Sequence, residues 1–213
     1  MNFFRKIFAK LSSNKYYSQA GQDKWVAEFF NSKRNGYFLD IGAFDGVYYS
    51  NSYYLEKKLG WTGLLIEADP IYYKKLLKCR TAKSINIAVS DKVGESLFLS
   101  SSVSGKIDEK GDVTVKTDTL VNIFKQNNVP NVIDYMSLDI EGAEYTALLA
   151  FPFKEYKTIL LTVEHNAYLG STESKEKLYE ILTKNNYVRV QEDVQHIGLP
   201  FEDWYVHKDF LTK

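Results

Sequence analysis

The sequence is short of cysteine, of charge of one sign and of long apolar runs, and each shortage excludes a class of protein. Cys79 is the only cysteine among 213 residues, so no disulfide can form within the chain and a reducing, cytoplasmic location is expected. Lysine plus arginine and aspartate plus glutamate each number 27, so the chain lacks the basic excess that phosphate binding requires. We therefore expect no nucleic-acid partner.

No apolar run of the sequence approaches the roughly 20 residues that span a bilayer. The opening stretch MNFFRKIFAKLSSN also lacks the continuous apolar core and the cleavage site of a signal peptide. It predicts an amphipathic helical extension over residues 1–16 that packs on the domain or on a second subunit, so monomer and homodimer both stay open. Weak contact of residues 1–12 with a membrane surface is the alternative. The apolar face of this helix comprises Phe3, Phe4, Ile7, Phe8 and Leu11.

Short apolar runs alternate with helical patterns along the rest of the chain. This alternation is typical of an α/β fold, a mostly parallel sheet with helices on both faces. Two runs near the end, NYVRVQ and DWYVHK, have a short connection and should pair antiparallel, so we predict seven strands with an antiparallel edge strand. The other predicted strands include 37–41, 63–67, 83–88, 132–139 and 158–164. Predicted helices lie near 50–59, 70–79, 117–127, 142–150 and 172–185, after a leading helix with Trp25, Val26, Phe29 and Phe30 at core spacing.

The middle of the chain departs from this alternation. ESLFLS and DVTVKT have the alternation of strands, and the stretch between them, SSVSGKIDEKG (101–111), is polar and contains glycine. The stretch is either a mobile loop over a site or a plain solvated hairpin.

The segment GYFLDIGAFDG (36–46) carries a pattern typical of nucleotide-cofactor sites. A strand ends at Asp40, and Gly42 and Gly46 allow a tight turn and a close approach of ligand to backbone. Asp40 and Asp45 would repel the pyrophosphate of a dinucleotide but attract a ligand that carries ammonium and sulfonium cations. The turn therefore favours S-adenosylmethionine over NAD.

Further along the chain, the second strand ends at Glu67, where an acidic side chain can accept hydrogen bonds from both ribose hydroxyls. The alternative role for Glu67 is an exposed cap of the following helix. Free N–H groups near Ser50 and Asn51, at a predicted helix start, can bind the carboxylate of the cofactor. Predicted contacts on the ribose and adenine sides, including turn residues, are Ala43, Ala68, Asn86 and Ala88.

The sequence resembles the FkbM family of methyltransferases. The resemblance is carried, in family order, by YSQAGQD (17–23), GYFLDIGAFDG, SNSYYLEKKLGWTGLLIEADP (50–70), NIAVS (86–90), SLDIEGAE (137–144) and TVEHN (162–166). It implies a Rossmann-like class I methyltransferase domain over residues 17–213, S-adenosylmethionine as donor, and O-methylation, commonly of sugars and glycans. It also implies that a segment with Gln19 and Gln22 folds over the cofactor. Ala68 departs from the family, which often has proline there.

Polar residues end the fourth and fifth predicted strands, where the acceptor should meet the methyl group. Asp139, which is also predicted to contact the cationic end of the cofactor, and Glu141 follow one strand, and Glu164 and His165 follow the other. Removing a proton from an acceptor hydroxyl needs a base, and the ordinary pKa of histidine, ~6.5, suits that role. Dipole-favoured acids at a helix start would account for Glu141 without catalysis. Asp139, Glu164 and His165 could alternatively hold Mg²⁺ or Mn²⁺ against the acceptor.

We therefore predict an S-adenosylmethionine-dependent O-methyltransferase that acts on a sugar hydroxyl of a glycan, nucleotide sugar or glycosylated metabolite. Three alternatives stay open. The acceptor could be a nitrogen atom or a non-sugar metabolite, although the sequence lacks the N/D-P-P-[FYW] motif of nucleobase or glutamine N-methylation. The chain could instead be an NAD-binding oxidoreductase. It could also hold the cofactor without performing chemistry.

Overall fold

The computed structural model describes residues 16–100 and 104–211. The predicted N-terminal helix, apart from residue 16, and part of the 101–111 stretch lie outside these ranges. The helices are α1 (Gln22–Phe29), α2 (Tyr53–Leu59), α3 (Pro70–Leu76), α4 (Leu120–Asn127), α5 (Glu144–Leu149) and α6 (Glu173–Lys184). The strands are β1 (Tyr37–Ile41), β2 (Thr62–Glu67), β3 (Lys83–Asn86), β4 (Ala88–Val89), β5 (Gly94–Leu99), β6 (Lys106–Ile107), β7 (Val113–Asp118), β8 (Val132–Leu138), β9 (Lys157–Glu164), β10 (Tyr187–His196) and β11 (Leu199–His207).

Seven strands form the main sheet in the order β10-β11-β9-β8-β1-β2-β3. The pairs from β9 to β3 are parallel, whereas β11 pairs antiparallel with both β9 and β10. The predicted mostly parallel sheet with an antiparallel edge is confirmed. The strand that runs against the others is β11, one place in from the edge strand β10.

The central strand β1 is buried on both faces, as its almost continuous apolar sequence predicts. Leu39 and Ile41 pack into one core cluster, and Phe38 packs into a second on the opposite face. Successive side chains of a strand point to opposite faces, so β1 joins both cores. It thereby fixes the position of the turn that follows it.

The helices begin and end close to the predicted positions, and one buried face differs. Asp69 caps α3 through the N–H of Ile71, with Pro70 at the first helical position. In α1 the buried residues are Gln22, Asp23, Val26 and Ala27, whereas Phe29 is exposed. The prediction of Phe29 in the core was wrong. Asp23 is buried and accepts hydrogen bonds from the N–H of Tyr17 and the hydroxyl of Ser18, so the helix directs the face that carries Asp23 inward and leaves Phe29 exposed.

A second, four-stranded sheet has the order β4-β7-β5-β6. The predicted strand 83–88 is split between the sheets, because the side-chain amide of Asn86 donates to the carbonyls of Glu67 and Ala68 and the chain bends there. ESLFLS and DVTVKT pair antiparallel within this sheet, and the stretch between them adds β6 to β5. Within the described ranges no helix is long and apolar enough to cross a membrane.

Candidate active site

A cavity of about 370 Å³ opens at the carboxyl ends of β1, β2, β8 and β9. Open α/β sheets bind ligands at this edge, and the volume lies within the usual range for small-molecule sites. Twelve of the predicted site residues line the cavity. They are Gln19, Asp40, Gly42, Ala43, Ser50, Asn51, Glu67, Ala68, Ala88, Asp139, Glu141 and Glu164.

Five predicted residues do not line the cavity: Gln22, Asp45, Gly46, Asn86 and His165. The Gln22 amide donates to the buried carboxylate of Glu202. Asp45 accepts from the N–H groups of the two residues that follow Gly46, so it shapes the turn from within. Gly46 faces Arg80, where a Cβ atom would lie 2.9 Å from the Arg80 Cγ. In this structure Gln22, Asp45 and Gly46 thus support the walls of the site and do not line it.

The glycine turn after β1 depends on a close approach of two backbones. Gly42 has a φ of +92°, in the left-handed region, and a Cβ atom there would lie 1.7 Å from the carbonyl oxygen of Asp139. The N–H groups of Gly42 and Ala43 both donate to the carbonyl of Ile66. Only glycine fits this position, which locks the turn between β2 and β8.

Asp40 lies at the bottom of the cavity and is almost completely buried. Burial raises the pKa of its carboxyl above the usual range, and the nearby charge of Arg80 partly opposes this effect. The hydroxyl of Ser52 donates to Asp40. Asp40 therefore holds the start of α2 against the end of β1.

Arg80 supports the same region from below, with a side chain that is fully buried. Its guanidinium donates to the carboxylate of Glu56, at 2.6 Å, and to the carbonyl of Gly46. It also donates to the hydroxyls of Ser50 and Ser52. One side chain thus ties the glycine turn to the beginning of α2.

Glu67 faces the cavity from the end of β2. Its Oε2 accepts from the N–H of Phe44 at 2.7 Å, and its Oε1 accepts from the N–H of Asp69 at 2.8 Å. Burial raises the pKa of Glu67 to about 7, although these hydrogen bonds oppose the shift. Each carboxylate oxygen can still accept a second hydrogen bond.

Three carboxylates converge at the other end of the cavity. Ligand atoms of Asp139, Glu141 and Glu164 lie within 4.8 Å of one another. Burial, followed by repulsion from Asp139, raises the pKa of Glu141 to about 7 and that of Glu164 well above its usual range. Glu164 is buried, and its Oε2 has no hydrogen-bond partner among the described residues. We call these three residues the acid cluster.

The loop that carries the acid cluster is held by two neighbours. Glu144 accepts hydrogen bonds from the N–H groups of Ile140 and Gly142, so it organises the backbone around Glu141. The side-chain N–H of Asn166 donates to Glu141, whereas its buried Oδ1 has no partner in the described parts of the chain. Asn166 ends the TVEHN stretch (162–166), and the sequence predicts no separate role for it.

His165 points away from the cavity, contrary to the prediction that it acts as base or metal ligand there. Adjacent strand residues face opposite sides of a sheet, so Glu164 at the end of β9 sends His165 to the other side. Its Nδ1 accepts from the N–H of Ala167 at 3.1 Å. Its Nε2 lies 3.5 Å from Asp203 Oδ1 and 3.7 Å from Asp193 Oδ1.

The carboxylates around His165 already have cationic partners. The Nζ atom of Lys175 lies 2.7 Å from Asp193 Oδ1, and Arg189 donates to Asp203 at 2.9 Å. Because Nδ1 accepts a hydrogen bond, a neutral ring carries its proton on Nε2, which leaves no lone pair there for a metal. This group is an ion-pair network, and His165 is not part of the acid cluster.

Other cavity residues were not predicted because they arrive from distant elements. Lys106 and Ile107 come from the second sheet, Tyr168 from the turn after β9, and Ile197 and Leu199 from the β10–β11 hairpin. The sequence indicates only that several of these residues are apolar and lie next to predicted turns, which does not connect them with the cavity. The tertiary fold alone brings them to one opening.

The strand order and the site at the carboxyl ends of the strands define a class I, S-adenosylmethionine-dependent methyltransferase fold. The chain belongs to the FkbM methyltransferase family, because the FkbM methyltransferase domain matches residues 40–189, well over half of its length. This membership excludes the NAD-binding oxidoreductase considered above. No curated protein matches the chain.

Solved structures of similar fold agree with this class. An FkbM methyltransferase from Methylobacillus flagellatus has 15% sequence identity and a TM-score of 0.57 over 83% of this chain and 44% of its own. An O-methyltransferase from Bacillus cereus, in complex with S-adenosylhomocysteine, has 12% identity and a TM-score of 0.58 over 95% and 88%. The METTL16 methyltransferase domain has 13% identity and a TM-score of 0.53 over 87% and 65%. The chain thus spans less than two thirds of the METTL16 domain and less than half of the Methylobacillus protein.

Proposed function

We propose that this protein transfers the methyl group of S-adenosylmethionine to a sugar hydroxyl, with the glycine turn and Glu67 holding the donor and the acid cluster meeting the acceptor. The observation that carries the proposal is that one cavity joins these two groups of residues. The family and the fold indicate S-adenosylmethionine as the donor, and the roles of the individual residues are part of the proposal.

The donor half of the cavity fits this cofactor. The turn at Gly42 offers a surface without a side chain, and Glu67 offers two carboxylate oxygens to ribose hydroxyls. Asn51 and Ser50 line the wall near the start of α2. When bound, the cofactor supplies a methyl group already activated by the sulfonium. The buried acid Asp40 favours a ligand with positive charge over one with a pyrophosphate.

The acceptor half needs a group that takes a proton from the hydroxyl. Glu164 is buried and Asp139 is half-buried, and the two are hydrogen-bonded to each other and both raised in pKa, which is the arrangement of a carboxylate pair that shares a proton. A base whose pKa approaches the working pH is effective in proton transfer. We therefore assign proton removal to the acid cluster and not to His165.

The acid cluster also suits a divalent cation, which would act with the same residues. Mg²⁺ and Mn²⁺ prefer carboxylate and amide oxygens, and the unpartnered oxygens of Glu164 and Asn166 are of this kind. In this version the residues present the cation to the acceptor hydroxyl. Treatment with EDTA separates the versions: activity that is lost and returns with Mg²⁺ or Mn²⁺ supports the cation, and unchanged activity supports direct proton transfer.

Two experiments test the function. Calorimetry with S-adenosylhomocysteine and with NAD should show binding of the first alone, and tight binding of NAD without the thioether would overturn the donor assignment. Labelled S-adenosylmethionine with a panel of glycosides, nucleotide sugars and glycans should label a sugar hydroxyl. Labelling of amines or of non-sugar metabolites alone would overturn the acceptor assignment.

We also propose a cytoplasmic enzyme, supported by the free thiol of Cys79. An extension over residues 1–16 ahead of a domain over 17–213 stays a prediction, as do weak membrane contact through residues 1–12 and the choice between monomer and homodimer.

A further inference from the structure

We propose that the acceptor is an uncharged glycoside with an apolar group on its sugar, and that this group packs against an apolar lip at the cavity opening. The lip consists of Ile107, Tyr168, Ile197 and Leu199. This inference rests on the proposed transfer to a sugar hydroxyl, and it narrows the acceptors considered there.

The lip brings together exposed apolar side chains from three separate elements, namely β6, the turn after β9 and the β10–β11 hairpin. Ile197 is 84% exposed and Leu199 is 49% exposed, and Ile107 and Tyr168 are also exposed. Isolated exposed apolar residues are ordinary on protein surfaces. Four that line the opening of one ligand cavity indicate a surface that a ligand covers.

Ile197 adds a second, independent observation. It has a φ of +52° in the turn between β10 and β11, a conformation that asparagine and glycine adopt easily and β-branched residues rarely adopt. The hairpin therefore carries an unfavourable backbone conformation and an exposed apolar side chain at the same position. Backbone strain of this kind clusters at ligand sites, where it sets the direction of a side chain.

Part of the lip, Tyr168 and Ile107, lies on the acceptor side of the cavity. Tyr168 lines the same cavity as Glu164 and Glu141, and these carboxylates add to the effect of burial in raising the pKa of its hydroxyl. Lys106, next to Ile107 in β6, lies close enough to Glu141 to affect the pKa of that residue. A group attached to a sugar at the acid cluster would therefore reach the lip.

The charge of the cavity decides between the sugar-bearing acceptors. Among the described lining residues only Lys106 is a lysine or arginine, whereas six are acids. Even where neighbouring acids share a proton, this excess of acidic over basic side chains disfavours the diphosphate of a nucleotide sugar and does not disfavour an uncharged glycoside. The six acids are Asp40, Glu67, Asp69, Asp139, Glu141 and Glu164.

The test is binding to the protein saturated with S-adenosylhomocysteine, so that it does not depend on turnover. The probes are octyl glycosides of glucose, galactose, mannose and rhamnose below micelle formation, the four free sugars, and UDP-glucose. We expect at least one octyl glycoside to bind tenfold or more tightly than its free sugar, and UDP-glucose not to bind. Tighter binding of UDP-glucose than of every octyl glycoside, or equal binding of octyl glycosides and free sugars, would overturn the proposal.

Two variants distinguish an effect of the lip on glycoside binding from an effect on folding. Ile197→Asn removes the apolar side chain and suits the left-handed conformation, so the melting temperature should stay level or rise while octyl glycoside binding falls at least fivefold. Leu77→Ser, at an exposed apolar site outside the lip, is the control and should bind as the wild type does. Unchanged octyl glycoside binding by Ile197→Asn would exclude the lip as the binding surface.

Two further measurements identify the source of any failure. If the wild type binds uncharged phosphatidylcholine vesicles and Ile197→Asn does not, while no octyl glycoside binds, the lip is a membrane surface and the proposal is wrong. S-adenosylhomocysteine should bind Ile197→Asn as tightly as the wild type. If the wild type itself did not bind S-adenosylhomocysteine, the proposed methyltransferase function would be contradicted instead.

Discussion

The carbonyl oxygen of Asp139 lies 1.7 Å from the position that a Cβ atom on Gly42 would occupy. The turn that we assign to the donor and the strand end that carries Asp139 are therefore in backbone contact. A change that moves one must move the other. This contact connects the two halves of the cavity.

The first prediction concerns Gly42→Ala, which should abolish detectable binding of S-adenosylhomocysteine and lower the melting temperature, because the added methyl group overlaps the Asp139 carbonyl. Gly21→Ala is a matched control, since Gly21 has the same φ of +92° but nothing within 4 Å of its Cβ position. The control should lose only about 1 kcal/mol, the cost of a left-handed conformation. Calorimetry and thermal unfolding measure both effects. Equal losses in the two variants would show that the overlap is not decisive.

The second prediction concerns the pH dependence of donor binding at Glu67, whose pKa is raised to about 7 by burial, with smaller contributions from Asp69 and Asp40. The ionised carboxylate is the better acceptor for ribose hydroxyls, so affinity for S-adenosylhomocysteine should rise from pH 6 to 8. Glu67→Gln should weaken binding by roughly 1–3 kcal/mol at pH 8 and less at pH 6. The ratio of wild-type to variant affinity isolates Glu67 from titration of the ligand. A ratio that does not change with pH would show that the Glu67 carboxylate does not bind the ribose hydroxyls.

The third prediction concerns stability and Glu202, a buried acid that accepts hydrogen bonds from Gln22 and Trp204 and whose pKa is raised to about 8 by burial. A folded-state pKa above the unfolded value means that the native protein holds this proton more tightly. Its contribution to the free energy of unfolding is therefore full below pH ~4.5 and is lost as pH rises through 8. Glu202→Gln should flatten this decline in urea titrations at pH 6 to 9, whereas Glu28→Gln, at an exposed position, should preserve it.

The fourth prediction concerns catalysis at the acid cluster. Glu164→Gln should lower turnover by about two to four orders of magnitude, the usual contribution of a general base, and should leave affinity for S-adenosylhomocysteine nearly unchanged. Asp139→Asn should lower turnover by a similar factor. His165→Gln should instead lower the free energy of unfolding by about 1–3 kcal/mol through its lost contacts with Ala167 and Asp203, with a smaller effect on turnover. A larger loss of turnover in His165→Gln than in Glu164→Gln would indicate that His165, and not the acid cluster, is the general base.

The fifth prediction concerns Arg80, which acts on the cofactor through the turn that it supports. Arg80→Lys keeps the charge but loses the fork of donors to Gly46, Ser50 and Ser52. Stability should fall by about 1–3 kcal/mol, and the dissociation constant for S-adenosylhomocysteine should rise several-fold at temperatures where the variant is folded. Arg34→Lys, at an exposed position, should change neither. A loss of stability without loss of affinity would limit Arg80 to a structural role.

The donor half of the site could be predicted from sequence because it is local. Asp40 and Gly42 belong to one strand and turn, and Glu67 ends the next strand, so a parallel sheet places them together without further information. The acceptor half could not be predicted to the same degree. β9 is buried on both faces, and polar residues occur on both, Thr162 with Glu164 and Lys157 with His165. The pattern therefore does not tell which of Glu164 and His165 faces the cavity.

The cavity residues that come from distant parts of the chain were even harder to predict from the sequence. Ile197 and Tyr168 line one cavity because β11 runs back between β9 and β10. The short β10–β11 connection predicts that these two strands pair, but not where the pair joins the sheet. Asn86 shows a related limit. Its hydrogen bonds to the Glu67 and Ala68 carbonyls break a predicted strand into two, and such a bend depends on a neighbouring strand.

The position of β11 has a consequence for how the protein is made. β11 follows β10 in sequence, yet it is the strand that joins β10 to β9. During synthesis, β9 must therefore wait with an unpaired edge while α6 and β10 emerge, and β10 has no place in the main sheet until β11 is complete. An unpaired β9 with its apolar faces is a site for wrong association between nascent chains. Correct folding thus depends on β11, which closes the main sheet and, with Leu199 and the adjoining Ile197, completes the opening of the cavity.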